Sequence, residues 1–168
     1  MSTAPVGEDM VDVLDDVGNV VDTATRRSMR ADNLRHRTVF IAVVNSAGDL
    51  LVHRRADWKD VWPGAWDVAF GGVVEAGESW EAAAARELAE ETGLDVELSY
   101  LGEGNYEDEI VRELARVYLA RHDGPVTFVD REVVEIGWVP PDALCGWIDG
   151  RSVCPDSVAI VLPRLDAP

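Results

Sequence analysis

GVVEAGESWEAAAARELAEETGL, residues 72–94, carries the strongest helix signal of this 168-residue chain. Ser79 is a residue type that caps helix N-termini, the alanines after it favour helix, and Gly93 suits a helix end. We therefore expect a helix that begins after Ser79 and ends at Thr92, with a glycine-containing loop before it.

Three carboxylates share one side of this helix. Glu87, Glu90 and Glu91 are three and four residues apart, the spacing of neighbours on a helix surface. Two carboxylates 4 Å apart repel by ~4 kcal/mol at an effective dielectric near 20. A hard divalent cation relieves that repulsion, and oxygen ligands favour Mg²⁺ or Mn²⁺ over zinc, which usually takes His or Cys. A solvated acidic face is the alternative for an isolated set of three glutamates.

The surrounding residues show that the three glutamates are not isolated. Gly72 is followed by five residues and Glu78, and then by seven residues and the run Arg86–Leu94. This arrangement resembles the Nudix box, G-x5-E-x7-R-E-U-x-E-E-x-G-U, in which U is a bulky apolar residue. Every specified position of the box is met.

The resemblance implies a fold, a reaction and a set of site residues. The fold is an α/β/α sandwich with a mixed β-sheet, in which the box forms a loop, a helix and a second loop. The implied ligands of Mg²⁺ or Mn²⁺ are Gly72, Glu78, Glu87, Glu90 and Glu91. The implied catalytic residues are Glu90, Glu91 and Arg86, of which the arginine holds a carboxylate in place. The implied reaction is attack of water on phosphorus in a nucleoside diphosphate linked to another group.

The remaining sequence interleaves strand and helix signals, which also favours an α/β/α layered domain. Strands are expected at Thr38–Asn45, Leu50–Arg55, Trp66–Val68, Val96–Leu101, Glu113–Arg121 and Val133–Val139. Gly71 and Gly72 are expected to interrupt the secondary structure, and residues 103–113 are expected to form an acidic connection between strands. Further helices are expected at 142–147 and 157–165, and the whole of 1–168 as a single domain.

Residues 1–34 are expected to form an extension before the main domain. Val11–Leu14 and Val20–Val21 read as two short strands around a Gly/Asn turn, and we expect an edge hairpin. The polar segment 24–34 is expected to form a short helix or a loop.

The general base is left open by the sequence. Nudix enzymes often take this residue from outside the box, and six carboxylates are candidates: Glu103, Glu107, Asp108, Glu109, Glu113 and Glu132. A surface role is the alternative for each of them.

A compact basic patch lies after the second expected strand of the main domain. Arg54, Arg55 and Lys59 are candidate substrate-binding residues, because a guanidinium pairs well with phosphate oxygens. Ordinary ion pairs with nearby aspartates are the alternative. Three tryptophans of the same region, Trp58, Trp62 and Trp66, could stack on a nucleobase or pack in the core.

Part of the chain is also similar to isopentenyl-diphosphate isomerase, a relative with the same fold. The similarity lies in the segments 36–37, 45–51, 53–55 and 62–66. The isomerase continues with a catalytic thiol and a metal-binding histidine, whereas this chain has Asp67–Gly72 there, without Cys or His. We therefore expect a hydrolase of the isomerase-like branch. An isomerase-like diphosphate enzyme and a non-catalytic nucleotide-sensing module are the alternatives.

Composition excludes several classes of protein. Lys and Arg total 15 against 32 Asp and Glu, a net charge of -17, so the chain is not expected to bind nucleic acid. The longest apolar run, residues 39–44, is too short to span a membrane. No Lys or Arg occurs before Arg26, which is unlike a secretory or mitochondrial leader and favours a cytoplasmic protein. The chain has two cysteines, Cys145 and Cys154, and both are expected to be reduced thiols. A homodimer that exchanges the N-terminal hairpin is a further expectation.

Overall fold

The computed structural model describes residues 9–165, so both ends of the expected 1–168 domain lie outside the described residues. Its strands are β1 (Met10–Leu14), β2 (Val20–Thr25), β3 (His36–Val44), β4 (Leu50–Arg55), β5 (Trp66–Asp67), β6 (Phe70–Val73), β7 (Leu98–Glu107), β8 (Arg112–Arg121) and β9 (Val133–Val139). Its helices are α1 (Arg26–Ala31), α2 (Trp80–Thr92), α3 (Leu144–Asp149) and α4 (Pro155–Leu165), with a 3₁₀ turn at Pro141–Ala143.

β3 is the central strand of a seven-stranded mixed sheet. It runs parallel to β8, with His36 opposite Glu113, and antiparallel to β6, with Val39 opposite Gly72. The hydrogen-bonded order is β5-β4-β3-β8-β7, and β9 pairs with β4. The start of β8 and the glycines of β6 therefore flank the first half of β3, and this arrangement positions the candidate site described below.

Alternating side chains of β3 pack on opposite faces of the sheet. Val39 and Ile41 belong to the cluster that includes Leu88 of α2, whereas Phe40 belongs to the cluster that includes Ile160 of α4. Because successive residues of a strand point to opposite faces, one buried strand supports both layers. The α/β/α sandwich with a mixed sheet is confirmed.

The helix expected from the box is confirmed, with both of its predicted ends. The Ser79 hydroxyl accepts a hydrogen bond from the amide of Ala82 at 3.1 Å. Gly93 is left-handed, with φ of 72°, and its amide donates to the carbonyl of Ala89. None of the helices within residues 9–165 has the length and apolarity that a bilayer crossing requires.

The N-terminal hairpin and short helix form, but the hairpin is not at the edge of the main sheet. β1 and β2 make a separate two-stranded sheet, turned at Gly18 with φ of 92°. The hairpin contacts the loop before α2, where the Ala76 amide donates to the Met10 carbonyl at 2.8 Å. Met29 of α1 and Val11 of β1 bury a small core against Val73. This packing on β6 and on the box loop explains the position of the hairpin.

Two expectations about the main sheet were wrong. Gly71 and Gly72 do not interrupt the secondary structure but lie inside β6, because β3 supplies hydrogen-bonding partners for an extended backbone there. The acidic connection expected from residue 103 is strand until Glu107, since β7 pairs with β8 along this length. Its acidic side chains face cations across the sheet, as Glu103 does with Arg116 at 3.0 Å.

Candidate active site

A pocket opens where α2 faces β6 and the loop after β4. Its walls also include α1, the first residues of β8 and the first turn of α4. The side chains that line it are mostly ionisable, with twice as many carboxylates as cations. Such a pocket can hold a negatively charged ligand only if cations accompany the ligand or the protein supplies them.

Two box glutamates are buried in the wall of this pocket. Glu87 and Glu91 expose 7% and 3% of their surface, and both line the pocket. The Gly71 amide donates to Oε2 of Glu91 at 3.2 Å. A Cβ atom on Gly72 would stand 2.5 Å from Oε1 of Glu87. Glycine at this position therefore allows β6 to approach the carboxylate of α2.

Arg86 connects three of the box carboxylates. Its Nε and Nη2 donate to the two oxygens of Glu78 at 2.8 and 2.9 Å, and its Nη1 donates to Glu87 at 2.8 Å. Nη1 also lies 3.4 Å from Glu90. Glu78 accepts a further bond from the Glu75 amide at 3.0 Å and is not part of the pocket lining. In this arrangement Glu78 orients Arg86, and Arg86 orients Glu87.

Burial opposes negative charge on this wall. It raises the pKa of Glu87 to about 7 even though Arg86 acts in the opposite direction. Burial, with the neighbouring charge of Glu87, also raises the pKa of Glu91 well above its usual range. Glu90 is half exposed, and its pKa is raised mainly by partial burial. The hydrogen bonds from Arg86, by contrast, lower the pKa of Glu78.

The atoms on this wall that could coordinate a metal ion are the carboxylate oxygens of Glu87, Glu90 and Glu91, which lie beside the backbone of Gly72. Hard cations such as Mg²⁺ take ligands of this kind. Within residues 9–165, no three His, Cys, Asp or Glu side chains have the arrangement of a completed metal site. Because Arg86 draws the carboxylates of Glu87 and Glu90 towards itself, these oxygens have to turn from the guanidinium to share a cation.

A second group of carboxyl groups lines the pocket from the α4 side. Glu113 is 2% exposed, and its Oε2 accepts a hydrogen bond from the Thr38 hydroxyl at 2.8 Å. Asp156 lies close enough to Glu113 for each carboxyl group to affect the pKa of the other, and Oε1 of Glu113 makes no hydrogen bond to the described residues. Burial raises the pKa of Asp156 to about 9 and that of Glu113 to about 7. The pair therefore retains a proton at neutral pH.

The structure does not bring Arg54 into the pocket. Arg54 points away from the lining, with its Nε 3.3 Å from Glu135 on the neighbouring strand β9. The adjacent residue Arg55 does line the pocket, as the alternation of side chains along a strand requires. Arg55 donates two hydrogen bonds to the Val61 carbonyl at 3.2 and 2.9 Å.

Lys59 and Glu132 form an ion pair in the lining of the pocket. The Lys59 Nζ lies 2.6 Å from Oε2 of Glu132, and 9% of the lysine side chain is exposed. Both residues lie close enough to Glu91 to affect its pKa. Of the three basic candidates, two therefore lie in the pocket with protein partners already in place.

The structure separates the six carboxylates considered as general base. Glu113 and Glu132 line the pocket. The other four lie elsewhere: Glu103 pairs with Arg116, Glu107 with Arg35, Asp108 accepts from Tyr106, and Glu109 is exposed.

The tryptophans and cysteines have separate environments. Trp62 lines the pocket, Trp58 is 61% exposed, and Trp66 packs edge-on against Trp147. Only Trp62 of the three is therefore placed to contact a ligand. Both cysteines are free thiols, as expected, and burial raises the pKa of Cys154.

Several ionisable residues of the pocket were not among the predicted site residues, and Arg26, Arg30 and Asp156 are three of them. Asp156 carried a local signal, because it stands at the start of an apolar helical run. The two arginines carried a weaker one, since residues 24–34 read only as a polar helix or loop. Their proximity to the box depends on the packing of the N-terminal hairpin.

The chain is similar to known proteins in sequence and in structure. The family model of the NUDIX domain matches residues 34–156. An uncharacterized Nudix hydrolase of Yersinia pestis is 35% identical over 149 residues, which cover 88% of this chain and 81% of the relative. An uncharacterized Nudix hydrolase of Pseudomonas aeruginosa is 35% identical over 155 residues and 92% of each chain. The crystal structure of DR0079 from Deinococcus radiodurans matches with a TM-score of 0.80 and 26% identity, covering 93% of this chain and 99% of that one.

Proposed function

This chain belongs to the Nudix hydrolases and cleaves a diphosphate linkage; we propose that the reaction requires Mg²⁺ or Mn²⁺ and takes place in the pocket of α2 and β6. The substrate that we propose is a nucleoside diphosphate joined to a second group. Its cleavage by water gives a nucleoside monophosphate and another phosphorylated fragment.

One observation carries the proposal of a metal-dependent site. Two buried carboxylates, Glu87 and Glu91, lie one helical turn apart in the pocket wall, and Gly72 approaches them without a side chain. Burying two like charges is costly without a compensating cation. Arg86 pairs with Glu87, whereas among the described residues Glu91 has no ion-pair partner within 4 Å and accepts one hydrogen bond, from a backbone amide at 3.2 Å. This arrangement favours a ligand that brings positive charge.

The donor set fits a hard divalent cation. Glu87, Glu90 and Glu91 would hold it, with the backbone at Gly72 close by, and all the side-chain donors are oxygens. When bound, the cation supplies positive charge that offsets the charge of the diphosphate and makes water more acidic. Glu78 is assigned a different role, because both of its oxygens already accept hydrogen bonds from Arg86.

We assign the general base to Glu132. It lines the pocket near Glu91, and the ammonium group of Lys59 lies 2.6 Å from its Oε2. An ionised carboxylate can accept the proton of the attacking water. Glu113 is less suited, because it is buried beside Asp156 and its Oε2 already accepts a hydrogen bond from Thr38. Lys59 and Arg55 are the proposed phosphate-binding cations among the residues predicted from the sequence.

We also propose that the chain belongs to the isomerase-like branch but does not isomerise a double bond. The similarity of segments 45–51 and 62–66 supports the branch. Isomerisation needs a thiol and a metal-binding histidine near Gly71, and β6 has neither. The thiol that lines the pocket, Cys154, has a raised pKa, which disfavours the reactive thiolate.

The experiment is a product panel with matched variants. Wild type, Glu91→Gln and Glu81→Gln are assayed with Mg²⁺ or Mn²⁺ on nucleoside-diphosphate conjugates, dinucleotides, nucleoside triphosphates and isopentenyl diphosphate, with products identified by mass. Glu81 is the control, because it lies on the same helix with 72% of its side chain exposed. We expect metal-dependent release of a nucleoside monophosphate by wild type and Glu81→Gln, and loss of release in Glu91→Gln.

Two results would contradict the proposal. Formation of dimethylallyl diphosphate would show that the chain isomerises without the expected thiol. Nucleotide binding without release by the wild type would identify a sensing module instead of an enzyme.

A further inference from the structure

The short helix α1 brings a second set of cations to the pocket. Arg26 and Arg30 line it together with Glu87 and Glu91, although they belong to the N-terminal extension. The backbone of α1 is held firmly: the Arg26 amide donates to the Asp9 carbonyl at 2.7 Å. The extension therefore forms part of the wall of the proposed active site.

Arg26 differs from the other cations of the pocket. Four pocket cations have a carboxylate within 4 Å: Arg30 has Asp60 at 3.3 Å, Arg55 has Asp67 at 3.8 Å, Lys59 has Glu132 at 2.6 Å, and Arg86 has Glu78 at 2.8 Å. In the part of the chain that the structure describes, Arg26 has no such partner. Its Nε, like that of Arg30, is buried and makes no hydrogen bond, so the missing ion pair is what distinguishes Arg26. A guanidinium that is partly desolvated and unpaired favours an anionic ligand.

The position of Arg26 relative to the box narrows the kind of anion. Its positive charge is near enough to Glu87 to act on that carboxylate across the pocket. A diphosphate held at the box glutamates would therefore extend towards α1. A carboxylate-rich pocket repels the distal phosphate of such a ligand, and an unpaired arginine offsets this repulsion. The planar guanidinium can also donate two parallel hydrogen bonds to one phosphate.

We propose that Arg26 is a substrate-binding residue, which receives the phosphate group of the diphosphate that is farther from the box glutamates. The extension 9–34 then takes part in substrate recognition, and the ligand class is a diphosphate with its cation. This inference rests on the proposed function, since it assigns a contact within the same pocket. Arg30 has a supporting role, because its ion pair with Asp60 keeps α1 beside the pocket.

The test compares Arg26→Ala with Arg27→Ala. Arg27 is the matched control, because it is the next residue of α1, is exposed and does not line the pocket. The probe is inorganic pyrophosphate with Mg²⁺, titrated calorimetrically into the protein. We expect Arg26→Ala to weaken its binding about tenfold to a hundredfold, as for the loss of charge-assisted hydrogen bonds, and Arg27→Ala to match the wild type.

Three further readouts make the assignment specific. Arg26→Lys should bind pyrophosphate with intermediate affinity, because it keeps the charge without the fork. Binding of Mn²⁺ alone should not weaken in Arg26→Ala, because the substitution removes a nearby positive charge and no proposed metal ligand. With a substrate found in the panel, KM should rise with little change in kcat. Thermal melting identifies a folding defect, and Arg26→Gln, which keeps most of the side-chain length, then replaces Arg26→Ala.

Equal pyrophosphate affinity in Arg26→Ala, or in Arg26→Gln, and in Arg27→Ala would overturn the inference. The result is separable from that of the product panel. A wild type that binds pyrophosphate but cleaves no substrate contradicts the proposed function, while the comparison of Arg26 with Arg27 still decides whether α1 contacts the anion.

Discussion

Gly72→Ala tests the close approach of β6 to the box helix. The added Cβ would lie 2.5 Å from Oε1, 2.6 Å from Cδ and 2.7 Å from Oε2 of Glu87, whereas ordinary contacts begin at 3.4 Å. The whole carboxylate must therefore move by about 0.9 Å. Because Glu87 is 93% buried and bonded to Arg86, this movement also disturbs the guanidinium.

The displacement sets the expected size of the effects. Overpacking of a buried site costs roughly 1–3 kcal/mol, which lowers Tm by roughly 2–12 °C for a chain of this length. A misplacement of about 1 Å in a catalytic constellation costs roughly a hundredfold in rate. We therefore expect Gly72→Ala to fold, to lose about a hundredfold in kcat, and to bind Mg²⁺ more weakly.

The assay combines melting with turnover. Tm is measured with and without Mg²⁺, and kcat is measured on a substrate found in the panel. Gly146→Ala is the control, because an added Cβ there meets nothing within 4 Å and Gly146 lies in helix α3. Replacing a helical glycine by alanine should stabilise the protein by about 0.4–1 kcal/mol and leave kcat unchanged. Wild-type kcat and a wild-type Mg²⁺ effect on Tm in Gly72→Ala would refute the reasoning.

Three further predictions concern the other carboxylates. Mg²⁺ at 100 times its Kd should stabilise the wild type by about 2.7 kcal/mol in thermal melts, and a shift that persists in Glu87→Gln/Glu91→Gln would place the cation elsewhere. Glu132→Gln should lower kcat by about 10²- to 10⁴-fold in steady-state assays, and an unchanged kcat would exclude Glu132 as the base. Because the folded protein raises the pKa of Asp156 from 3.8 to about 9, its contribution to stability is complete below pH 3.8 and is lost as the pH rises towards 9. Asp156→Asn should therefore flatten the fall of unfolding free energy between pH 5 and 8 by up to about 1.4 kcal/mol per pH unit in denaturant titrations, and an unchanged slope would contradict the assigned protonation.

The helix of the box could be predicted because its signals are local. Ser79, the alanine run and Gly93 act within a few residues of the backbone that they influence, and both helix ends lie where these residues predict them. The clustering of Glu87 and Glu91 follows from helical periodicity alone. Their burial does not, because it depends on the approach of β6 to the helix.

The sequence is least informative where contacts between distant segments decide the structure. Gly72 is expected from the sequence to interrupt the secondary structure, yet it lies in a strand because it pairs with Val39 of β3. Arg54 and Arg55 look equivalent in the sequence, but one strand position decides that Arg54 faces Glu135 of β9 while its neighbour lines the pocket. Such choices depend on strand register and on partners about 80 residues away, which local composition does not specify.

The pocket has two sets of buried carboxyl groups, and in each set the cost of burying negative charge has to be offset. The two sets offset this cost differently, and the difference favours the set on α2 as the cation site. On the α4 side, burial raises the pKa of both Asp156 and Glu113, and Oε2 of Glu113 accepts a hydrogen bond from Thr38. A cation bound there would have to displace the proton that the pair retains. On the α2 side, the one hydrogen bond that Glu91 accepts within residues 9–165 comes from the Gly71 amide, so a cation can approach this carboxylate without displacing a hydrogen-bonded side chain. At the α4 wall, a retained proton therefore reduces the negative charge of the carboxyl pair. At the α2 wall, the carboxylates are available to bind the metal ion that accompanies the diphosphate.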